Sequence, residues 1–470
     1  MKRKFAIKTV PSTWLETEGR RLDCGPYMSG AIEARELLKK LSARKDYLQD
    51  LTKNGIAGIV NAGRISRIWV NDHDYGYPFL SSTDILQADL SNVSFIAKSV
   101  ARQTPQLLIK KHWTLITRSG SIGRMAYARA DMDGMACTED VLRVIPDEDK
   151  VLPGYIYAYL STKFGVPLVT SGTYGSIITH LEPHHIAELP VPRLGDVEDR
   201  AHELIQQAAD AHVESVELRK QAGNLVNSIC GFPEKLAPAA RTFAFSAANS
   251  SSILRRLDAT FHSPVAQQAE ALTEAADGIS LGDAGVKGYE SNRMKQVFVE
   301  EGYGTPFITS GGIFSKTITP ERYLRNQLLG EAETWRINEC DTLIARSGQV
   351  GGIIGRGVWA DTRLDGFAAS PHILRLRPTS TDFPPGYVYA FLCLTDVGYQ
   401  LLARTAAGSS IPFLPLDAVS EIRIPRKPSL AQRREIDALV KRSGELRKRS
   451  QELEIEAVSL VERAIEEGGR

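Results

Sequence analysis

Two long stretches of the chain repeat apolar or small residues at alternating spacings of three and four. Nine such positions run from Ala201 to Ile229, and nine more run from Ile436 to Ala464. This spacing, held over about four heptads, predicts two long helices with a coiled-coil seam. Each position of the second series follows its counterpart in the first by 235 residues. The shared register indicates that the two helices pack on each other.

One row of each seam is made of small residues, which let two helix backbones approach closely. The row contains Ala208, Ser215 and Ala222 in the first helix and Ser443, Ser450 and Ala457 in the second. The residues that we assign to helix pairing are Leu204, Ala208, Leu218, Leu225, Leu439, Ser443, Leu453 and Leu460. The alternative, two surface helices each lying on its own domain, leaves the common register unexplained.

Capping residues mark the limits of both helices. Ser429 and Gln432 form a capping box before the second helix. Asp196 is a candidate N-cap for the first, and Gly231 followed by Pro233 ends it. The first helix would then run for about 33 residues, or about 50 Å.

The rest of the chain alternates short apolar segments with Gly, Ser and Pro punctuation, which is typical of strands and turns. Segments with β-branched or alternating character include "TLIT", "VLRVI" and "HILRLR". "PGYIYAYL" and "PGYVYAFL" favour short helices that begin at Pro153 and Pro385. The pattern predicts mixed α+β domains of about 190 residues each.

These segments occur twice, in the same order. "YGYPFLSSTDI" at residues 75–85 returns as "YGTPFITSGGI" at residues 303–313, and "TLITRSGSIGR" at 114–124 returns as "TLIARSGQVGG" at 342–352. The other matching pairs are residues 20–23 with 255–258, 133–146 with 365–378, and 153–160 with 385–392. The chain is therefore an internal repeat of two units, with a period too long for a solenoid.

Composition describes an ordinary globular protein and leaves the function open. The chain has 470 residues, 43% hydrophobic and 24% charged, with a net charge of +1. Its length indicates two or more domains, and a nucleic-acid-binding face would have to be a local patch. The sequence predicts neither a signal peptide nor a membrane helix. The five cysteines lie far apart, without a C-x-x-C motif, which suggests reduced thiols in the cytoplasm.

Known catalytic motifs are missing from the sequence. It has no phosphate loop, no H-E-x-x-H, no G-x-S-x-G and no amino-methyltransferase motif. His180 and His184 could ligate zinc, but the second half has no counterpart, so a solvated loop is the simpler interpretation. "RSGSIGR" could form an anion-binding nest of backbone N–H groups, or simply a tight turn. The chain is therefore expected to bind rather than to catalyse, with no metal or cofactor of its own.

Each half closes with "ELPVP" (188–192) or "EIRIP" (421–425) before its long helix. These closing motifs and the repeated blocks resemble the DNA-specificity subunit of type I restriction-modification systems. "RRLDATFHSP" (255–264) is similar to the R-x-D-x-x-[YF]-x-x-P opening of the family's target-recognition domains, and "PSLAQ" (428–432) to its P-x-x-x-Q motif. The first half lacks that glutamine and the matching proline.

The resemblance implies two tandem target-recognition domains, each reading one half of a split site on double-stranded DNA. They would occupy residues 1–194 and 232–427. Spacer helices at 195–231 and 428–470 would pair as an antiparallel coiled coil that sets the spacing. The expected partners are methyltransferase subunits, two of them, which carry S-adenosylmethionine, together with a restriction endonuclease subunit or another phage-defence effector.

Residues of the repeated loops are the candidates for DNA contacts. Residues common to both halves, such as Tyr75 and Tyr303, Pro78 and Pro306, and Leu115 and Leu343, are expected to be framework. Polar common residues suit phosphate contacts, with turn capping and carboxylate pairing as the alternative: Arg118, Ser119, Arg346 and Ser347. Specificity should come from positions that differ between the halves: Ser121 and Arg124 against Gln349 and Gly352, and Tyr174 and Ser176 against Ala407 and Ser409.

Two other functions stay open on the sequence. One is a scaffold that assembles protein partners through its repeats without binding DNA. The other is an enzyme acting through the RSG loops, which the missing catalytic motifs disfavour. The sequence gives neither the target site nor the base that is methylated.

Overall fold

The computed structural model describes residues 7–17, 24–171, 180–236, 250, 256–292, 295–320, 322–408 and 410–468. The chain forms two compact units. The first unit contains Met1–Val213 and Arg449–Arg470, and the second contains Glu214–Lys448. Each unit therefore combines one half of the repeat with segments of both long helices.

The first unit holds three small sheets. Their strand orders are β1-β10, β2-β9-β6-β7 and β3-β5-β4-β8. The strands are β1 (Lys45–Tyr47), β2 (Ile59–Val60), β3 (Trp69–Val70), β4 (Gly76–Leu80), β5 (Phe95–Ala97), β6 (Thr114–Thr117), β7 (Met125–Tyr127), β8 (Ala136–Cys137), β9 (Val141–Val144) and β10 (Pro190–Pro192). The helices before the first long one are α1 (Ser12–Thr17), α2 (Gly25–Met28), α3 (Ala31–Lys40), α4 (Lys98–Gln103), α5 (Pro153–Leu160), α6 (Gly165–Ser171) and α7 (Pro183–Ala187).

The second unit repeats the same topology strand for strand. Its sheets have the orders β11-β20, β12-β19-β16-β17 and β13-β15-β14-β18. The strands are β11 (Gly278–Ser280), β12 (Val286–Glu290), β13 (Phe298–Val299), β14 (Gly304–Ile308), β15 (Arg322–Arg325), β16 (Thr342–Ala345), β17 (Gly357–Trp359), β18 (Ala368–Ala369), β19 (Ile373–Pro378) and β20 (Arg423–Pro425). Its helices are α9 (Pro264–Ala275), α10 (Pro385–Leu394), α11 (Asp396–Arg404) and α12 (Leu416–Ser420). The predicted α+β fold with two repeated halves is confirmed.

The central strand of each half explains why its sequence is apolar throughout. β6 is buried along its whole length. Leu115 lies in a core shared with the β3-β5-β4-β8 sheet, and Ile116 lies in a core shared with α5 and the first long helix. Leu343 and Ile344 divide in the same way in β16. Because successive side chains of a strand point to opposite faces, a strand covered on both faces needs an apolar run rather than an alternation.

Two fully buried arginines occupy equivalent places in these sheets. Arg143 of β9 donates to the carbonyls of Cys137 and Val141 at 2.5 Å each. Arg375 of β19 donates to the Arg336 carbonyl at 2.6 Å. Burial lowers the pKa of Arg375 to about 10, so its charge persists at neutral pH. Both residues therefore supply donors to main-chain carbonyls in a buried environment, where an unpaired carbonyl is costly.

The long helices are α8 (Asp196–Cys230) and α13 (Leu430–Gly468). The predicted capping box of α13 is confirmed, because the Gln432 side chain accepts from the Ser429 N–H at 2.9 Å and the Ser429 hydroxyl accepts from the Gln432 N–H at 3.3 Å. Gly231, with φ of 77°, follows the last turn of α8 as predicted.

In the first unit, the two helices pack antiparallel through the small residues. The Ser450 hydroxyl of α13 donates to the Ala208 carbonyl of α8 at 2.7 Å. Further back along α8, Arg200 lies 3.7 Å from Glu456, which is further along α13. A serine hydroxyl reaches a main-chain carbonyl of the other helix only when the two backbones are close.

The second unit has the equivalent contact. The Ser443 hydroxyl donates to the Ser215 carbonyl at 2.9 Å. Cys230, the last residue of α8, lies in the same buried core as Ile436 near the start of α13. Among the residues predicted to pair the helices, those buried are Leu204, Ala208, Ser443 and Leu453, and those half-buried are Leu218, Leu225, Leu439 and Leu460.

Candidate nucleic-acid interface

The RSG segment of the first half is the loop between β6 and β7. It is closed by its own backbone: the Gly123 N–H donates to the Thr117 carbonyl at 2.9 Å, and the Thr117 hydroxyl accepts from the Arg124 N–H at 3.0 Å. Gly120 and Gly123 have φ values of 67° and 82°, which side chains rarely adopt. The segment is therefore a tight turn of fixed shape.

Arg118 lies at the base of this turn and is only 9% exposed. Its Nε donates to the Leu181 carbonyl at 3.0 Å, and its Nη2 pairs with the Glu182 carboxylate. The Leu181 N–H in turn donates to the Arg118 carbonyl at 3.0 Å. Arg118 therefore ties the turn to the segment before α7.

Arg346 takes the same place between β16 and β17. Its Nε donates to the Leu414 carbonyl at 3.1 Å, and its Nη2 lies 2.6 Å from Glu290. Carboxylate pairing, the alternative role that the sequence left open, describes both arginines. A phosphate contact by Arg118 or Arg346 stays a prediction and would have to use their remaining donors.

Each RSG serine contacts a polar residue that differs between the halves. The Ser119 hydroxyl donates to the Asp140 carboxylate at 2.8 Å. At the equivalent place, the Ser347 hydroxyl lies 3.1 Å from His372 Nδ1. A common serine thus holds a carboxylate in one half and an exposed imidazole in the other.

Sequence reasoning missed Asp140 and His372. They belong to the repeated blocks that begin at residues 133 and 365, which we aligned for their similarity. Within those blocks, "TED" at 138–140 stands opposite "SPH" at 370–372. A search for differences inside the repeated blocks, rather than between them, would have found both residues.

The variable positions of the two turns face solvent. Ser121, Arg124 and Gln349 are all exposed. In the described part of the chain, the side chains of Arg124 and Gln349 have no hydrogen bond or ion pair, so their donors and acceptors are available to a ligand. These placements suit the predicted specificity role, which stays a prediction.

Tyr174, Ser176 and Ser409 lie outside the described residues. Ala407, which precedes one of them, pairs with Phe413 through two backbone hydrogen bonds of 2.8 Å. The Gly348 N–H of the second RSG turn donates to the Pro412 carbonyl at 3.1 Å. This brings the exposed side chains of Ile411 and Phe413 beside the second turn.

The expectation that Tyr75 and Tyr303 are framework is wrong. Their side chains are 69% and 75% exposed, at the turns before β4 and β14. Leu115 and Leu343, assigned to the framework with them, are fully buried. Repetition in both halves therefore does not by itself distinguish a buried side chain from an exposed one.

One residue of the histidine cluster, His185, caps the start of α7. The Glu182 N–H donates to His185 Nδ1 at 3.0 Å in a capping box at the start of α7. Within the described ranges, the only group of three candidate ligands close enough for a metal ion is Asp72, His73 and Asp74, and all three are exposed. The five cysteines are free thiols. Within the same ranges, no helix combines the length and apolar character needed to cross a membrane.

No protein-family model and no curated protein matches the chain. Among solved structures, it is similar to the S subunit of a type I restriction-modification system from M. genitalium, with 12% identity over 90% of this chain and 94% of that one, at a TM-score of 0.35. It is also similar to the HsdS subunit from Thermoanaerobacter tengcongensis, with 13% identity over 91% of this chain and 96% of that one, at a TM-score of 0.28.

A third similar structure concerns complex assembly and conformational transition of the type I R-M system. It is 13% identical over 91% of this chain and 97% of that one, at a TM-score of 0.28. All three come from type I restriction-modification systems, whose specificity subunit the sequence motifs resemble. TM-scores below 0.5 are too low to establish a common fold.

Proposed function

We propose that the chain is the DNA-specificity subunit of a methyltransferase complex and directs it to a bipartite, asymmetric site. Each half, at residues 1–194 and 232–427, would be a target-recognition domain that reads one half-site. The observation that carries the proposal is that one fold occurs twice with different exposed side chains at equivalent turns. The first turn has Arg124 where the second has Gly352, and the second has Gln349 where the first has Ser121. The two half-sites should therefore differ in sequence.

Exposed apolar residues next to the second turn support direct readout of base edges. Ile411 and Phe413 flank Pro412, whose carbonyl accepts from the Gly348 N–H of that turn, and the methyl group of thymine is the apolar feature of the major groove. A glutamine amide can pair with adenine in a bidentate manner. The second half-site is therefore expected to contain A·T pairs at the positions that this turn contacts.

The long helices would set the distance between the two half-sites. α8 has 35 residues, or about 52 Å, which corresponds to about 15 base pairs of DNA. The serine-to-carbonyl contacts between α8 and α13 in each unit would make the pair rigid. A rigid spacer fixes how many unread base pairs separate the half-sites.

The partners follow from the same proposal. Two methyltransferase subunits carrying S-adenosylmethionine would dock on the chain and supply the catalysis. We assign no catalytic role to this chain. A restriction endonuclease subunit or another defence effector would join them. The chain would act in the cytoplasm.

Replacing Gln349 by alanine is expected to relax one half of the methylated motif and leave the other unchanged. Loss of one bidentate base contact costs about 1–3 kcal/mol of discrimination, or roughly 5- to 150-fold. The matched change is Arg124→Ala, which should relax only the opposite half. Single-molecule sequencing of methylated bases in cells that express each variant measures both motifs. The domain assignment is contradicted if both variants relax the same half.

A further inference from the structure

Tyr75 and Tyr303 are the one pair of exposed aromatic residues at equivalent positions in the described parts of the two halves. Their neighbours in the repeated Y-G-x-P-F block have structural reasons to be there. Phe79 is buried in a core beside the β3-β5-β4-β8 sheet, and Phe307 in a core beside the β13-β15-β14-β18 sheet. The tyrosines belong to neither core.

The glycine that follows each tyrosine is required by a close approach of strands. A Cβ on Gly76 would lie 2.6 Å from a Val70 methyl carbon and 2.8 Å from the Phe95 Cβ. A Cβ on Gly304 would lie 2.5 Å from the Leu324 carbonyl oxygen. The block therefore repeats its glycine and phenylalanine because of packing, which leaves the tyrosine unexplained.

Both tyrosines are held on ordered turns. The Tyr75 N–H donates to the Asp72 carbonyl at 3.1 Å, and its carbonyl accepts from the Lys98 N–H at 2.9 Å. The Tyr303 N–H donates to the Glu300 carbonyl at 3.1 Å. In the described ranges, neither side chain has a hydrogen bond or ring contact. Each ring is therefore presented to solvent from a fixed backbone.

We infer that Tyr75 and Tyr303 form one equivalent DNA contact in each half, their rings packing against the deoxyribose of the backbone rather than reading a base. This inference rests on the proposed function. The same residue stands in two halves whose variable turns differ, so its contact should not depend on sequence. Sugar faces are the apolar, sequence-independent part of the duplex.

Charged groups of both signs lie beside Tyr75, and a carboxylate lies near Tyr303. Asp72 and Asp74 lie beside Tyr75, and Glu301 lies close to Tyr303 in the chain. The Lys98 ammonium donates to the Asp74 carbonyl at 2.8 Å on the same turn, so a cation stands beside these carboxylates. A contact made by the ring alone does not need the hydroxyl.

Alanine and phenylalanine variants test this inference in the full chain bound to its methyltransferase subunits. The probes are a duplex carrying the split site that wild-type cells methylate and a duplex of equal length with both half-sites scrambled. Tyr75→Ala and Tyr303→Ala are each expected to weaken binding about tenfold on both duplexes, because each variant loses one sequence-independent contact. Tyr75→Phe and Tyr303→Phe should bind as the wild type does.

Tyr47→Ala is the matched control, because Tyr47 is also exposed but has Ser280 at its equivalent position. It should bind DNA as the wild type does. If both alanine variants bind both duplexes with wild-type affinity, this inference is overturned and the proposed function still stands. An alanine variant that loses affinity only for the specific duplex would also overturn it, since that is base readout. A wild-type complex that does not distinguish the two duplexes would instead contradict the proposed function.

Discussion

Replacing Gly386 by alanine is expected to lower the free energy of unfolding of the second half by about 3 kcal/mol, as overpacking a close contact does. Gly386 is the second residue of α10, where the helix meets α13. A Cβ there would lie 2.8 Å from the Asp437 Cα and 3.0 Å from its carbonyl oxygen. Because these are backbone atoms of a long helix, they cannot move aside as a side chain would.

The same substitution also disturbs a helix cap. The Gly386 N–H donates to the Asp437 carboxylate at 2.7 Å. In the first half, the Gly154 N–H donates to His202 Nδ1 at 3.1 Å, and a Cβ on Gly154 would lie 2.9 Å from the His202 Cα. Gly154→Ala should therefore destabilise the first half in the same manner.

Gly330→Ala is the control for both variants. No atom lies within 4 Å of a Cβ placed on Gly330, so this variant should unfold at the wild-type denaturant concentration. Chemical denaturation followed by circular dichroism measures all three proteins. If Gly386→Ala were as stable as Gly330→Ala, the close docking of α10 on α13 would be incorrect.

Inserting one heptad into both long helices is expected to lengthen the unread spacer by about three base pairs, because seven helical residues add about 10 Å. Duplicating residues 208–214 in α8 and 443–449 in α13 preserves the register of the small residues. The complex should then lose its original methylation motif. It should methylate a motif with the same two halves and a longer gap.

Insertion into α8 alone is the control for this experiment. It breaks the register between Ala208 and Ser450 in the first unit, so the helices could no longer pair along their full length. That variant should methylate no spaced motif. A double insertion that keeps the original spacer would contradict the ruler function of the helices.

The repeated blocks allowed the same elements to be predicted in both halves, because packing constrains the same residues in each. Pro153 and Pro385 begin short helices, and the 3-4 pattern predicted long helices whose seam residues are buried or half-buried. These features depend on local propensity and periodicity, which the sequence carries directly. The division of each long helix between the two compact units is a long-range feature that no local pattern contains.

The candidate site was harder to predict than the fold. Carboxylate pairing was one of two roles open to Arg118 in the sequence, but the sequence did not show that Glu182, from a distant segment, would be its partner. Tyr75 looks like a core residue, but the β4 strand begins just after it and leaves the ring in solvent. In both cases the outcome depends on which distant segment lies opposite, and two aligned halves of one sequence do not reveal that.

Sequencing of methylated bases across the genome of the native host, with and without this gene, tests the central proposal most directly. If the chain is the DNA-specificity subunit, one split motif with two unlike halves and a fixed spacer loses its methylation when the gene is deleted. Restoring the gene restores that motif. If the partner methyltransferase stays active and the methylation pattern is the same in both strains, the chain does not select the site, and a scaffold that assembles protein partners takes its place.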